Sequence, residues 1–309
     1  MLNTIKGVIF GHAVADALGV PVEFCTRDEL DIKSVIDMEG FGTYNVPAGY
    51  WSDDTSMTLA ALESLANGHL DYNEIMDNFC AWLGDGKFTP DGDVFDVGAS
   101  CRKSILLYAG DHISAIECGQ DSEWDNGNGS LMRILPFILY TYYKRCDNPV
   151  EIIHNASRMT HAHERSLIAC GIYAHVVWSL LEDHSVESVY RGLAEAERYY
   201  SGREELEHFS RLFELDFAAL PISEIKSSGY VVDTLEASIW CLLNSKSYKD
   251  CVLRAVNLGE DTDTVGAIAG GMAGAVWGYS DIPEKWIKTL ARRDYIEELC
   301  IKSCRRWYC

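Results

Sequence analysis

The stretch that decides the fold runs from Val265 to Gly278 and reads VGAIAGGMAGAVWG, without a charged residue. Gly266, Gly270, Gly274 and Gly278 recur at every fourth position, which on a helix makes one stripe that lacks side chains. A glycine costs a helix about 1 kcal/mol relative to alanine, so such a stripe is expected only where it has a structural use. We expect that use to be the close approach of a second helix in the core.

The residues directly before this run, 259–264, read GEDTDT and place two carboxylates and a hydroxyl at the start of the expected helix. Asp261, Asp263 and Thr264 would then lie at the mouth of a buried helix. An aspartate before a helix is ordinarily an N-cap, and that alternative stays open for this stretch taken alone. Burying carboxylates is costly unless they are paired or bind a metal. Hard oxygen ligands suit Mg²⁺, Mn²⁺ or Ca²⁺.

A similar stretch lies far upstream, where residues 49–55 read GYWSDDT. Ser52, Asp53 and Asp54 again supply a hydroxyl and adjacent acids directly before a helical pattern. Taken singly, this arrangement is also typical of an N-cap. Two such clusters in one chain favour the interpretation that they are two halves of one metal site.

The composition limits the classes of protein that the chain can belong to. It has 309 residues, a formal net charge of -21 and 48% hydrophobic residues. This is enough apolar material for a substantial core, in one large domain or at most two, and no Pro/Gly/Ser-rich linker divides the chain. The negative field opposes binding to nucleic acids and to anionic membranes, so neither is an expected partner.

The cysteines and the apolar segments carry no targeting signal. There are 11 cysteines, and Cys300, Cys304 and Cys309 lack the matching set that zinc requires. Free thiols in a reducing cytoplasm are the favoured interpretation. His12 and Asp16 interrupt the apolar N-terminus, which argues against a signal peptide. The uncharged run quoted above is shorter than the ~20 residues of a membrane span.

Helical periodicity dominates the chain and alternating strand patterns are hard to find, which predicts an all-α fold. Gly19 and Pro21 end the first helix, Asp71 caps another, and Asn148-Pro149 is a good cap and first helical position. The predicted helices cover 4–18, 55–67, 71–83, a segment carrying Arg102 and Lys103, a helix opened by 126–133, then 148–159, 165–181, 186–200, 204–213, 232–243, one after Asp263 and a last one from Ile282-Pro283-Glu284.

Two further acids are candidates for chemistry. Glu23 follows a turn and is flanked by Val22 and Phe24, so we expect apolar surroundings that raise its pKa, as a general acid or base requires. The alternative is an exposed turn glutamate. Asp96 lies between apolar residues at a helix start, where it is either an N-cap or a third acid near a substrate.

A glycine-rich turn and a histidine pair offer contacts to a polar ligand. Residues 126–133 read NGNGSLMR, and glycines before a helix expose backbone N–H groups that favour anions such as a diphosphate. A plain turn is the alternative. Arg133 either adds charge to this cradle or pairs with a nearby acid. His161 and His163 do not share a helix face, so hydrogen bonding to a polar ligand is favoured over zinc.

Several of these stretches, in this order, resemble the ADP-ribosylglycohydrolase family, which includes dinitrogenase reductase-activating glycohydrolase and the ADP-ribosylarginine and ADP-ribosylserine hydrolases. The resemblance covers residues 7 to 278, and the two acidic motifs are its most specific part. The matching stretches are Asp16-Ala17-Leu18-Gly19 with Pro21 and Glu23, Trp51-Ser52-Asp53-Asp54-Thr55, Phe95-Asp96-Val97-Gly98, Gly127-Asn128-Gly129-Ser130 to Arg133, Gly259 to Gly278 and, more weakly, Thr160-His161-Ala162-His163.

The resemblance implies a single compact all-helical domain over residues 1–309 with two divalent cations, Mg²⁺ or alternatively Mn²⁺, at the bottom of a cleft. Many relatives have threonine where Ser52 stands, and serine keeps the ligating hydroxyl. The implied metal ligands are Ser52, Asp53, Asp54, Asp261, Asp263 and Thr264. The implied catalytic residues are Glu23, Asp54 and Asp261, and the implied substrate-binding residues are Asp96, Gly127, Asn128, Gly129, Ser130 and His161.

The activity implied is hydrolysis of the bond between ADP-ribose and a modified protein side chain, with arginine favoured by analogy. Two cations suit such a reaction because they can hold ribose hydroxyls and acidify a water. ADP-ribosyl-serine and O-acetyl-ADP-ribose are alternative substrates. A silent ADP-ribose-binding protein and a Ca²⁺-stabilised helical protein are alternatives from other classes. We expect a cytoplasmic monomer that acts on an ADP-ribosylated protein and releases ADP-ribose.

Overall fold

A computed structural model describes residues 1–111 and 113–307, and in that part of the chain every regular element is a helix. Short 3₁₀ turns and loops join the helices, and among the described residues the only pairings of the strand type are two isolated bridges. The predicted all-α fold is therefore confirmed. The helices are α1 Leu2–Gly19, α2 Arg27–Ile32, α3 Asp53–Leu65, α4 Tyr72–Asp85, α5 Ala99–Asp111, α6 Leu135–Lys144, α7 Pro149–Arg158, α8 Glu164–Asp183, α9 Ser188–Tyr200, α10 Val231–Leu243, α11 Tyr248–Val256, α12 Thr262–Trp277, α13 Glu284–Thr289 and α14 Arg293–Trp307.

The centre of the fold is the pair α1 and α12, which pack on each other more extensively than any other two elements in the described residues. A Cβ atom added to Gly11 would lie 2.5 Å from the carbonyl oxygen of Gly270, and one added to Gly7 would lie 2.5 Å from that of Gly274. Side chains at these positions would force the helices apart. The predicted close approach at the glycine stripe is confirmed, although Gly278 ends α12 instead of continuing the stripe.

The first helix is a core element. The segment Leu2–Val22 is long and apolar enough to cross a membrane, but 83% of its apolar 18-residue window is buried inside the protein. Its high mean hydropathy is expected for a helix that other helices surround on all sides. The apolar side chains of all the large helices join it in one continuous core.

Three predicted elements differ from those observed. Residues Glu204–Phe213 form a 3₁₀ segment instead of an α-helix. The glycine-rich turn leads first into a 3₁₀ turn, Leu131–Arg133, and the α-helix begins only at Leu135, next to Pro136 at a favoured N-terminal position. The predicted last helix is two helices, α13 and α14, because the chain turns sharply at Arg292, which has φ 40°.

The cysteines of the described residues are all free, in agreement with the predicted reduced state. Cys300 is buried and Cys304 is half-buried. The third member of this C-terminal group, Cys309, lies outside the described residues.

Candidate active site

A cleft of about 290 Å³ opens where the N-termini of α3 and α12 meet the glycine-rich turn. Four carboxylates and four glycines line it, together with apolar side chains such as Trp124 and Met132. Nine predicted site residues line it: Glu23, Asp53, Asp96, Gly127, Asn128, Gly129, His161, Asp261 and Thr264.

The first acidic motif forms the start of α3. Ser52 is the N-cap, and its hydroxyl lies 3.0 Å from Asp54 Oδ2. The Thr264 hydroxyl, from the second motif, donates to the same Asp54 oxygen at 3.3 Å. The two motifs, remote in sequence, therefore share one carboxylate oxygen.

Asp96 makes a second connection between the motifs. Ligand oxygens of Glu23, Asp96 and Asp263 all lie within 4.8 Å of one another, close enough to hold one metal ion. The Asp96 carboxyl is also within hydrogen-bond reach of Asp53. Asp96 is not an N-cap, since α5 begins only at Ala99. Its placement agrees with the alternative, in which it is a third acid of the site.

Burial raises the pKa of every carboxylate in this cluster, and repulsion between the acids adds to the rise at most of them. Loss of hydration, followed by the charge of Asp96, raises the pKa of Glu23 to about 9. Burial is also the main cause that raises the pKa values of Asp53, Asp54 and Asp263 well above their usual range. No basic side chain of the described residues forms an ion pair with these four acids within 4.0 Å, so no cationic side chain stabilises their ionised form. Glu23 is 5% exposed, which rules out the alternative of an exposed turn glutamate.

Three buried oxygens in the cluster have no hydrogen-bond partner among the described residues: Glu23 Oε2, Asp54 Oδ1 and Asp263 Oδ2. Buried polar atoms are normally satisfied, so a group of unsatisfied ones indicates that something else occupies the site in the working protein. Because the atoms are all carboxylate oxygens, the missing partner has to be a proton donor or a cation.

The glycine-rich turn supports the second motif directly. The side-chain amide of Asn128 donates to Asp261 Oδ2 at 2.7 Å and to the Thr234 hydroxyl at 2.9 Å. Ser130 is the one predicted substrate-binding residue whose side chain lies away from the cleft. Its hydroxyl is fully buried against Ser157, at 2.9 Å.

His161 reaches the cleft from behind this turn. Arg133 donates to the Thr160 hydroxyl at 2.7 Å, and that hydroxyl lies 2.9 Å from His161 Nδ1. When the Thr160 hydroxyl donates its own proton to Nδ1, the neutral ring carries its proton on Nε2. Burial lowers the pKa of His161 to about 3, so the ring is neutral.

Arg133 itself plays neither of the roles that the sequence suggested. It is fully buried, donates to the carbonyl oxygen of Ala156 at 3.1 Å and lies over the Phe79 ring. It does not line the cleft and pairs with no acid of the described residues; its Nη1 and Nη2 donate to the Ala156 carbonyl, Nη2 also donates to the Thr160 hydroxyl, and Nε has no partner there. His163 caps α8 through Nδ1, so it does not join His161 in a shared site.

Backbone strain is concentrated around the cleft. Phe24, Phe41, Asn45, Asp96 and Glu260 all have positive φ, between 51° and 66°. Such conformations are costly for residues other than glycine and are typical of functional sites. Phe24 N–H donates to the Glu260 carbonyl at 2.7 Å, and Glu260 N–H donates to the Cys25 carbonyl at 2.7 Å. These two bonds join the Glu23 segment to the loop that carries Asp261.

The structure also places residues here that are not among the predicted site residues. The Tyr44 hydroxyl is within hydrogen-bond reach of Glu23 and Asp96, and Trp124, 91% exposed, forms part of the cleft rim. Nothing in their local sequence marks them. Asp16 is fully buried beneath Ser52, and here a signal existed: it is the one acid in a long apolar helix.

The fold and the site together define a class: an all-helical protein with a carboxylate-lined cleft between two remote acidic motifs. The sequence pattern of the ADP-ribosylglycohydrolase family matches residues 1–308. The chain belongs to this family and is a hydrolase of it.

Two named relatives and one solved structure are similar to most of the chain. The chain is 31% identical to ADP-ribosylarginine hydrolase Tri1 of Pseudomonas putida, over 96% of this chain and 77% of that protein. It is 36% identical to ADP-ribosyl-[dinitrogen reductase] glycohydrolase of Rhodospirillum rubrum, over 92% and 89%. A solved structure of an ADP-ribosylglycohydrolase-related protein complex superposes with a TM-score of 0.83 at 29% identity, covering 99% of this chain and 98% of that one.

Proposed function

We propose that the chain hydrolyses the N-glycosidic bond of ADP-ribosyl-arginine in a modified protein, with the help of divalent cations. The observation that carries the proposal is the meeting of the two acidic motifs at Asp54 Oδ2, at the bottom of a cleft in a member of this family. A relative of known name, at 31% identity, acts on ADP-ribosyl-arginine.

The donor set suits hard divalent cations. The cluster offers only carboxylate and hydroxyl oxygens, three of its buried oxygens have no partner, and its acids are held without counter-charge. Oxygen ligands of this kind suit Mg²⁺ or Mn²⁺. We propose two ions, held by Ser52, Asp53, Asp54, Asp261, Asp263 and Thr264. When bound, such ions supply Lewis-acid stabilisation of oxygen charge and lower the pKa of water.

The residues of the chain would divide the remaining work. Glu23, with its raised pKa, is suited to move a proton between water and the leaving group. Asp96 has oxygens within reach of the same space and would bind a sugar hydroxyl. The His161 Nε2–H and the backbone of Gly127 and Gly129 would donate hydrogen bonds to an oxygen of the diphosphate.

The charge of the chain makes these local donors necessary. A protein with a net charge of -21 repels a diphosphate at long range. That repulsion is screened over roughly 8 Å at physiological salt, whereas hydrogen bonds and cations act at contact distance. The proposed site therefore holds an anionic substrate by short-range contacts that overcome a repelling surface.

A direct comparison of substrates tests the proposal. Purified protein is given peptides with ADP-ribosyl-arginine or ADP-ribosyl-serine, and O-acetyl-ADP-ribose, each with Mg²⁺, with Mn²⁺ or with a chelator. We expect the fastest release of ADP-ribose from arginine, and loss of release with the chelator. Faster release from either other substrate would overturn the arginine assignment. Binding of ADP-ribose without release from any substrate would establish a silent binding protein instead.

The partners and the location belong to the same proposal. We propose a monomer in the cytoplasm, with ADP-ribosylated proteins as substrates and neither nucleic acid nor membrane as a partner. Size-exclusion chromatography with light scattering, run with and without an ADP-ribosylated protein, checks the oligomeric state.

A further inference from the structure

The buried acid Asp16 lies directly beneath the first acidic motif, and the proposed function gives it no role. It occupies the last turns of α1 and is 0% exposed. No lysine, arginine or histidine of the described residues forms an ion pair with it. A buried carboxylate without a cationic partner is costly, so its contacts show what it is used for.

All of its hydrogen bonds go to the start of α3. Asp16 Oδ1 accepts from the Ser52 N–H and from the Ser52 hydroxyl, both at 3.0 Å. Asp16 Oδ2 accepts from the Thr55 N–H at 3.0 Å and from the Thr55 hydroxyl at 2.5 Å. Asp16, a side chain of α1, therefore accepts backbone hydrogen bonds that a residue in the first turn of α3 itself would normally accept.

The first turn of a helix has N–H groups without intrahelical partners, and acidic residues there ordinarily serve them. In α3 these acids are Asp53 and Asp54. Because Asp16 takes the Ser52 and Thr55 N–H groups, neither acid is needed as a cap. Asp54 Oδ1 has no partner and Asp53 lines the cleft.

We propose that Asp16 is a positioning residue: it takes the backbone donors of α3 and the proton of the Ser52 hydroxyl, and thereby leaves Asp53, Asp54 and the Ser52 oxygen free to bind a divalent cation. Ser52 has a single hydroxyl proton and lies 3.0 Å from both Asp16 and Asp54. When that proton is on the Asp16 side, the lone pairs of the Ser52 oxygen remain available. This inference rests on the proposed cation site.

The test is the affinity for Mn²⁺ alone, measured by calorimetry on the folded full-length chain. Asp16→Asn keeps the size of the side chain but replaces one acceptor oxygen with a donor. We expect a 10–100-fold weaker Mn²⁺ affinity, the range found when partners of metal ligands are removed. Ser64→Ala is the matched control, because Ser64 is also buried on α3 and its hydroxyl has no partner. We expect no change there.

Two further variants separate positioning from general damage. Thr55→Val keeps the shape of Thr55 and removes one donor to Asp16 while leaving the carboxylate in place, so it is the milder change, and we expect Mn²⁺ affinity below that of the Ser64→Ala control. Adding Ser52→Ala to Asp16→Asn should cost less than the two losses summed, since the residues act together.

The measurements distinguish a failure of the proposed cation site from a failure of the positioning role of Asp16. If the wild-type chain binds no Mn²⁺, the proposed cation site fails. If the wild type binds Mn²⁺ and both Asp16→Asn and Thr55→Val bind it equally well, the cation site stands and the positioning role of Asp16 is overturned. A lower unfolding temperature with unchanged Mn²⁺ affinity would also overturn it, because that result shows a merely structural role.

Discussion

The first turns of α3 and α12 have similar sequences, SDDT and DTDT, but their carboxylates are held in different ways. At α3, Asp16 from another helix accepts the backbone donors. At α12, Asp263 Oδ1 accepts the N–H of Thr264 at 2.9 Å, and Asp261 is held by the Asn128 amide. One half of the site is thus supported by a buried acid, and the other by its own motif and an amide from the glycine-rich turn.

The largest expected effect is the loss of rate when one proposed metal ligand is removed from either acidic motif. We expect the loss to be equal for the two motifs. Asp54→Ala and Asp261→Ala each remove one proposed ligand, one from each motif. We expect each to lower the rate of ADP-ribose release on the order of 10³-fold or more, because electrostatic stabilisation at the reacting centre is lost. Steady-state rates check this, with circular dichroism to show that the helices remain. A near-normal rate in either variant would mean that only the other motif is essential.

Glu23 belongs to neither acidic motif. Its substitution should lower the reaction rate without changing the affinity for Mn²⁺ or ADP-ribose. Glu23→Gln keeps the shape and removes the titrating group, so we expect a loss of ~10²–10⁴-fold in rate. Affinities for Mn²⁺ and for ADP-ribose, measured by calorimetry, should stay close to those of the wild type. An unchanged rate would remove Glu23 from proton transfer, and a matching loss of Mn²⁺ affinity would make it a ligand instead.

Asn128 tests how the acidic motif at the start of α12 is supported. Asn128→Ala removes the donor that holds Asp261, and we expect Mn²⁺ affinity to fall about tenfold. Thr234→Val is the matched variant, since it removes the other partner of the same amide and leaves the bond to Asp261. We expect a smaller loss there. Equal losses in the two variants would indicate that the turn as a whole, and not the contact with Asp261, supports this half.

The smallest expected effect is a dependence of stability on pH. The pKa of Glu23 is raised to about 9, so between its unfolded value and pH 9 the folded, metal-free chain binds more protons than the unfolded chain. Stability should therefore fall as the pH rises through this window. His12 and His161, whose pKa values are lowered to about 4 and 3, act in the opposite direction only below about pH 6.5.

The measurement is the unfolding temperature between pH 7 and 8.5, with and without Mn²⁺. The metal-free chain should lose more stability over this range than the loaded chain, because a bound cation replaces protons on the acids. Groups away from the cleft contribute alike to both samples, so the difference reports on the acidic cluster and the side chains that touch it. Parallel curves would contradict the raised pKa values.

Much of the architecture could be predicted from local patterns. The glycine stripe of α12 predicted a close helix partner, and the stripe meets α1 at Gly7 and Gly11. Caps such as Asp71 marked helix starts correctly. Prediction failed where tertiary contacts decide the backbone, as at Glu204–Phe213, where an amphipathic period fits a 3₁₀ segment as well as an α-helix.

The site could be predicted only in part, for a physical reason. Adjacent acids before a helix, as in Asp53 and Asp54, are visible as a motif. The direction in which a side chain points is not visible, so Ser130 was grouped with the glycines although its hydroxyl faces the core. Tyr44 and Trp124 reach the cleft from irregular loops, whose course depends on long-range packing. Asp16 belongs to a motif that is visible in the sequence, but only its contacts with α3 show its structural role.

The pairing of α1 with α12 has a consequence for how the chain is made. The first helix ends at Gly19, and its main partner ends at Trp277. At ~5–20 residues per second, the ribosome needs on the order of 10–50 s to produce the stretch between them. Throughout that time the N-terminal helix lacks its main partner, although α3, whose first turn binds Asp16, is made early. Newly made chains should therefore depend on chaperones until synthesis is almost finished, and premature termination should yield aggregating fragments instead of partly active ones.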